Sequence, residues 1–297
     1  MSVEIRPTSS HRSRNPVFDV HAHAWKQPGV IMKLADRYST PERPFIVYGD
    51  GSLAQALSSM AEVGIRRRII KNLAVSPRGV PAANDFALDI ARNCPELIPT
   101  GTVHAEYPEN EREVERLAAG GVRGIAFDSC WQGFHINDPR LREVYRKISH
   151  QQMFILTHTG IDPEADYNEC LTWPAEVMAV KELSPDSVVI AAHLGANKEF
   201  YRAREYSRDA GILFDLAWVM EHLQYLRSCQ PQEIIDLIYF LGIDRIVYGS
   251  DYPWSDPGAA ISFWENVLPA EVWRKISHEN ILMNPGLPPS VLGPWPA

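Results

Sequence analysis

The stretch Val17-Phe18-Asp19-Val20-His21-Ala22-His23 reads as a buried strand that ends in two ionisable side chains. Alternate residues of a strand share a face, so His21 and His23 project together, one pleat apart. Two imidazoles so placed can chelate one divalent metal. The pattern recurs down the chain. Ile155-Leu156-Thr157-His158, Ile190-Ala191-Ala192-His193 and Val247-Tyr248-Gly249-Ser250-Asp251 are further apolar runs that close on a histidine or a carboxylate. A further histidine and a carboxylate from later strands would complete a hydrolytic site with a position open to water.

Outward from these runs, apolar segments alternate with amphipathic ones along the chain. Strands are expected near residues 17–23, 67–75, 97–103, 122–127, 154–158, 188–193, 212–216 and 245–249. Helical patterns lie between them, over 53–63, 82–93, 111–119, 140–150, 175–183, 198–209 and 232–241. Eight strands alternating with helices imply an α/β fold, a single-domain (β/α)8 TIM barrel. An open doubly wound sheet is the rival, but no Gly-rich phosphate loop supports it. The expected division is a polar N-terminal tail (1–16), the barrel (17–284) and a Pro-rich C-terminal tail (285–297). Long insertions follow the first strand (25–50, broken by Pro28, Pro41 and Pro44) and the fifth (160–173), and both are candidate lids. Functional groups of such barrels sit where strands end. Those positions hold His21, His23, Asn72, His104, Asp128, His158, His193, Asp215 and Asp251.

With 29 basic against 37 acidic residues the net charge is -8, which argues against a nucleic-acid partner. The Arg66-Arg67-Arg68 run is too short to alter that and is expected in a solvated turn. Four scattered cysteines (Cys94, Cys130, Cys170, Cys229) suit free thiols in a reducing compartment. Residues 1–16 lack the apolar core of a signal peptide, and no run reaches the ~18 apolar residues of a membrane span. A cytoplasmic protein without membrane partners is expected.

In sequence order, Asp19-Val20-His21-Ala22-His23, Thr157-His158-Thr159-Gly160, Ala192-His193-Leu194-Gly195 and Gly249-Ser250-Asp251-Tyr252-Pro253-Trp254 resemble the amidohydrolase superfamily. They are most similar to its amidohydrolase-2 branch, which holds metal-dependent hydrolases and aminocarboxymuconate semialdehyde decarboxylase-like enzymes. The likeness runs from about Phe18 to Asn284. It implies that His21, His23, His158 and Asp251 hold one divalent ion, with zinc expected and manganese or iron as alternatives. His193 becomes the acid/base beside the metal-bound water, sharing the proton with Asp251, while Asp19 is expected to be structural. One stretch departs from the family. Many relatives carry a Lys-x-His-Pro-like stretch at the end of the fourth strand, where this chain has Ala126-Phe127-Asp128-Ser129. A lysine-bridged pair of metals is therefore disfavoured, and Asp128 is expected to bind substrate. His104, Gln132, Trp25 and Trp254, with Trp131 and Trp218, are the other expected pocket residues. The reading is a hydrolase of a small molecule. The alternative is a nonoxidative decarboxylase of an aromatic or unsaturated acid, with Arg37, Arg43 or Arg78 as carboxylate anchor. A noncatalytic scaffold is disfavoured by the intact ligand set. A homodimer is expected by analogy with relatives.

Overall fold

Strand β1 (Val17–His23) pairs in parallel with β2 (Ile65–Lys71), and the ladder continues through six further strands. These are β3 (Leu97–Thr102), β4 (Gly124–Phe127), β5 (Phe154–Thr157), β6 (Val189–Ala191), β7 (Ile212–Asp215) and β8 (Ile246–Val247). The computed structural model describes residues 3–27, 29–39, 45–162, 167–208, 210–287 and 289–292. Strand order follows chain order, and hydrogen bonds from Val20 N to Tyr248 O, Asp251 N to His21 O and His23 N to Tyr252 O close the circle. The expected (β/α)8 barrel is the observed fold.

Alternation along the strands builds two apolar layers. Phe18, Val20, Ile69, Ile98, Leu156, Ile190, Leu213 and Val247 form one cluster with Ile281, Leu287 and Leu292 from the C-terminal segment. Val17, Ile70, Ile125, Ile155 and Ile212 join the larger cluster that includes the helices. Each such side chain contributes roughly 1.5–3 kcal/mol when fully buried. The segment after residue 284 thus places two leucines in a core, and it carries a short helix, Pro289–Leu292.

A bulge in β1 decides which polar residues reach the barrel mouth. Asp19 pairs with Arg68 and Ala22 with Ile70, so β1 advances three residues while β2 advances two. Strict alternation would put Asp19 beside His21; the extra residue separates them. The Asp19 carboxylate receives Arg68 Nε (2.8 Å) and Ser250 Oγ (2.7 Å), and its role is structural. Arg68 also donates to Ala56 O and Ser59 Oγ. The Arg66-Arg67-Arg68 run is therefore not a solvated turn. It lies inside β2 with Arg67 and Arg68 buried; Asp19 supplies the counter-charge of Arg68, and Arg67 donates to Pro95 O.

Six helices match expectation within two residues at each end: Leu53–Val63, Val80–Asn93, Asn110–Ala119, Arg142–His150, Pro174–Leu183 and Pro231–Leu241. The stretch expected as a helix over 198–209 instead contains the 3-10 segment Phe200–Glu205. Lys198 has φ 66°, a left-handed conformation that a right-handed helix cannot include, and Asp209 lies outside the described residues. Helices Pro257–Val267 and Ala270–Arg274 were not expected.

The insertion after β1 carries helix Val30–Tyr38 and the short strand Ile46–Val47, which pairs with Glu4–Ile5. The N-terminal segment is fastened further along by Ser9 N and Oγ to Asp256, and by His11 and Ser13 Oγ to Glu265. Pro28, Pro41, Arg43, Pro44 and residues 293–297 lie outside the described residues, as do 163–166 of the loop after β5. That loop is pinned at Gly160, which bridges both Thr172 and Asn197. Its φ is 85°, and a Cβ there would stand 2.2 Å from Asn197 N, so only glycine fits. All four cysteines are free thiols. No helix among the described residues is long and apolar enough to cross a membrane.

Candidate active site

A cavity of about 640 Å3 opens where the strands end, and His21, His23, Lys71, Asp128, His158, His193 and Asp251 all line it. Its β1–β8 side is built around one carboxylate. Asp251 Oδ1 lies 3.1 Å from His23 Nε2 and 3.5 Å from His21 Nε2. Ligand atoms of these three residues all fall within 4.8 Å of one another, a spacing one metal ion can bridge. His21 Nδ1 is 2.9 Å from Asp215 Oδ2. An ionised carboxylate only accepts, so Nδ1 carries the proton and Nε2 keeps its lone pair. His21 Nε2 is buried and has no hydrogen-bond partner. Gly249 allows this approach, since a Cβ there would sit 2.9 Å from His21 Cβ and 3.2 Å from Asp215 Cβ.

Burial alone would raise the Asp251 carboxyl. The surrounding His21, His23 and His193 rings more than offset that and hold it well below the usual carboxylate range. Burial and the neighbouring His158 ring push His193 down to about 3, so it is neutral. Its Nδ1 donates to Ala217 O (2.9 Å), which leaves Nε2 as an acceptor facing His158 Nδ1 at 3.0 Å. Asp215, buried beneath, holds both sides of the centre. One oxygen takes His21 Nδ1 and the other takes the His193 N–H at 2.8 Å. His193, Trp218 and Asp251 have φ values of 56°, 60° and 61°. Left-handed backbone costs a non-glycine residue of order 1–3 kcal/mol, and with Lys198 four such residues line this one cavity.

Of the expected ligands, the structure brings His21, His23 and Asp251 together. His158 stands one ring away, beside His193, and shares a second close group with Cys130 and Asp162. On that β2–β4–β5 side, Lys71 Nζ donates to Asp128 Oδ2 at 2.9 Å, and Cys130 Sγ donates to Asp128 Oδ1 at 3.1 Å. Burial raises the Asp128 carboxyl, but Lys71 and His158 outweigh it and bring it to about 2. Lys71 escaped the sequence reading because β2 was expected to run on to residue 75. Its true end puts Lys71 two residues past the inward Ile69, on the same face.

His104 and Gln132 do not line the cavity, which corrects the expectation for both. Gln132 Oε1 accepts from Asp128 N, and its Nε2 reaches Ala74 O and Val103 O. His104 Nε2 faces Gln132 O at 3.0 Å, and its Nδ1 accepts from Glu106 N. Their polar atoms go to backbone groups of adjoining loops, so they brace the end of β4. Arg37 and Arg78 are exposed and do not line the cavity. All four expected tryptophans line the cavity. Trp25 stacks on His23 (5.8 Å, 12°), and Trp218 stacks on Phe45 (6.4 Å, 2°). Trp254 stands edge-on to Trp25 and Phe45, and Trp131 lines the wall near Asp128. Arg6, Phe45, Tyr48, Glu221 and Tyr225 also line the cavity, without a strand-end position that would have marked them in the sequence.

Solved structures share this fold at low identity. A 5-carboxyvanillate decarboxylase from Novosphingobium aromaticivorans, complexed with manganese and 4-hydroxy-3-methoxy-5-nitrobenzoic acid, is 16% identical with a TM-score of 0.64. The match covers 92% of this chain and 97% of that one. A 5-carboxyvanillate decarboxylase from Sphingomonas paucimobilis is 17% identical, with a TM-score of 0.62 over 89% and 97% of the two chains. A protein assigned as a 2-pyrone-4,6-dicarboxylic acid hydrolase, from Pseudomonas putida, is 15% identical, with a TM-score of 0.60 over 89% and 95%. No curated protein matches significantly by sequence. The family model described as Amidohydrolase, of the amidohydrolase-2 type, matches residues 18–282, and the chain belongs to that family.

Proposed function

We propose that the protein is a metal-dependent hydrolase acting on a carbonyl centre of a small molecule, with one divalent ion held by His21, His23 and Asp251. The carrying observation is the buried, unpartnered Nε2 of His21 beside His23 and an ionised Asp251. Leaving a buried polar atom unpaired costs roughly 1–3 kcal/mol, and a cation among these donors offsets that cost. Two imidazoles and a carboxylate suit zinc first, with manganese or iron as alternatives. The family resemblance adds His158 as the fourth donor. A bound divalent ion would polarise a substrate carbonyl and acidify water at the site.

The chain's own residues then manage the proton. His193 is neutral, offers Nε2 as acceptor, and has Asp251 and Asp215 near enough to stabilise the imidazolium it becomes. Asp215 keeps His21 in one tautomer and, through the His193 N–H, keeps both histidines in register. Lys71 already neutralises Asp128, which supports one ion rather than two. The four free cysteines support a reducing, cytoplasmic setting.

A second reading is nonoxidative decarboxylation. The flat walls made by Trp25, Phe45, Trp218 and Trp254 favour it, because they suit a planar aromatic acid. Metal analysis followed by a screen of lactones, amides and aromatic carboxylic acids separates the two. Incorporation of solvent oxygen into product is expected. Release of carbon dioxide without it would replace hydrolysis by decarboxylation, and full activity in metal-free protein would remove both.

A further inference from the structure

We propose that Arg6 is an anchor for a substrate carboxylate at the mouth of the cavity, and that Glu4 occupies its guanidinium fork in the free protein. The proposal rests on the reading of this cavity as a site for small carbonyl or carboxylate compounds, and it adds that the preferred class is doubly anionic.

The N-terminal segment is built onto the barrel. Arg6 N donates to Val47 O, continuing the pairing of Glu4–Ile5 with Ile46–Val47. Beyond it, Ser9 is held by Asp256 through both its N–H and its hydroxyl. Ser9 O also packs so close to Gly258 that a Cβ there would be 2.4 Å away. This course brings the Arg6 side chain to the cavity wall that also contains Tyr48, Glu221 and Tyr225.

The Arg6 fork is engaged bidentately. Nε and Nη2 donate to Glu4 Oε1 and Oε2, both at 2.9 Å. A planar carboxylate held by two parallel N–H donors is the geometry in which guanidinium recognises carboxylates generally. Both side chains are about half exposed (48% and 49%), so the pair is weakly held and screened by solvent. A carboxylate that also gains contacts inside the cavity can displace Glu4. Two other cations line the cavity: Lys71 is buried and committed to Asp128, and Lys198 offers a single ammonium in place of a planar two-donor fork. Arg6 is therefore the best placed to receive an incoming anion.

The test is calorimetric binding of benzene-1,3-dicarboxylate and of benzoate to the full-length protein, with thermal unfolding as a control. Wild type should prefer the dicarboxylate. Arg6→Gln should weaken dicarboxylate binding by ~10-fold, the scale of a lost charge-assisted contact, while benzoate changes less than ~2-fold. Arg6→Lys should restore only part of the loss. Glu4→Gln should tighten the dicarboxylate, by ~2–5-fold, because the competing carboxylate is gone. Opposite signs for the two variants distinguish an occupied anchor from a structural ion pair. The proposal falls if wild type shows no preference, if Arg6→Gln leaves the ratio unchanged, or if Glu4→Gln weakens binding as Arg6→Gln does. Binding is read without turnover, so a hydrolase or decarboxylase assay can fail while this result stands, and the reverse.

Discussion

The two sides of the cavity handle charge in opposite ways. On the β1–β8 side, Asp251 is ringed by His21, His23 and His193, and His21 Nε2 is buried with no hydrogen-bond partner. That side is short of a cation. On the β2–β4–β5 side, Asp128 takes Lys71 Nζ at 2.9 Å and a thiol at 3.1 Å, so the carboxylate is neutralised by the protein itself. The same residue type at the same kind of strand end thus does different work. On the proposed reading Asp251 holds an external ion, whereas Asp128 already has Lys71 as its cation.

The sharpest way to break the contrast is to remove the donors. His21→Ala or Asp251→Ala should abolish tight metal binding and lower turnover by ~10²–10³-fold or more with the barrel still folded, as read by metal analysis and circular dichroism. Full occupancy in both variants would end the single-ion assignment.

On the opposite side the effect should fall on stability. Lys71→Met leaves a buried, unpaired carboxylate and should destabilise the protein by roughly 3–5 kcal/mol in denaturant unfolding. Adding Asp128→Asn to it should recover much of the loss. Asp128→Asn alone should leave about one equivalent of metal bound and alter substrate affinity instead. Loss of a second equivalent in that variant would show that Asp128 holds an ion after all.

His193 lies between the two sides and tests the division of labour. His193→Asn should keep most of the metal and lose ~10²-fold or more in turnover, the scale of a missing acid or base. Metal loss as complete as in His21→Ala would make His193 a ligand.

The smallest effect is a pH dependence of stability. Burial pushes the Glu221 carboxyl up to about 8, although Ser255 hydrogen-bonds to it. Between about pH 4.5 and 8 the unfolded chain has released this proton and the folded protein keeps it, so stability falls as pH rises through that window. Glu221→Gln should flatten the slope, by on the order of 1 kcal/mol across the window after relaxation. An unchanged slope would mean that Glu221 ionises normally in the folded protein.

Sequence alone was enough for the barrel and for the strand-end residues that line its cavity, because both are written in local patterns. The alternation of apolar runs with 3.6-period stretches implies a parallel sheet wrapped by helices. Polar residues that end those runs necessarily gather at one rim, which is how His21, His23, His158, His193 and Asp251 could be named before any coordinates. Tertiary structure decided what those patterns leave open. The bulge between Asp19 and Ala22 turns Asp19 to Arg68 and leaves His21 at the mouth. The true end of β2 makes Lys71 the partner of Asp128, and the course of the N-terminal segment carries Arg6 to the cavity. His104, just past β3, and Gln132, in the helical turn after β4, point their polar atoms into loop backbone. Which strand-end groups meet depends on register, bulges and loop paths. Those are set by the sum of contacts between segments far apart in the chain, and no window of sequence contains that sum.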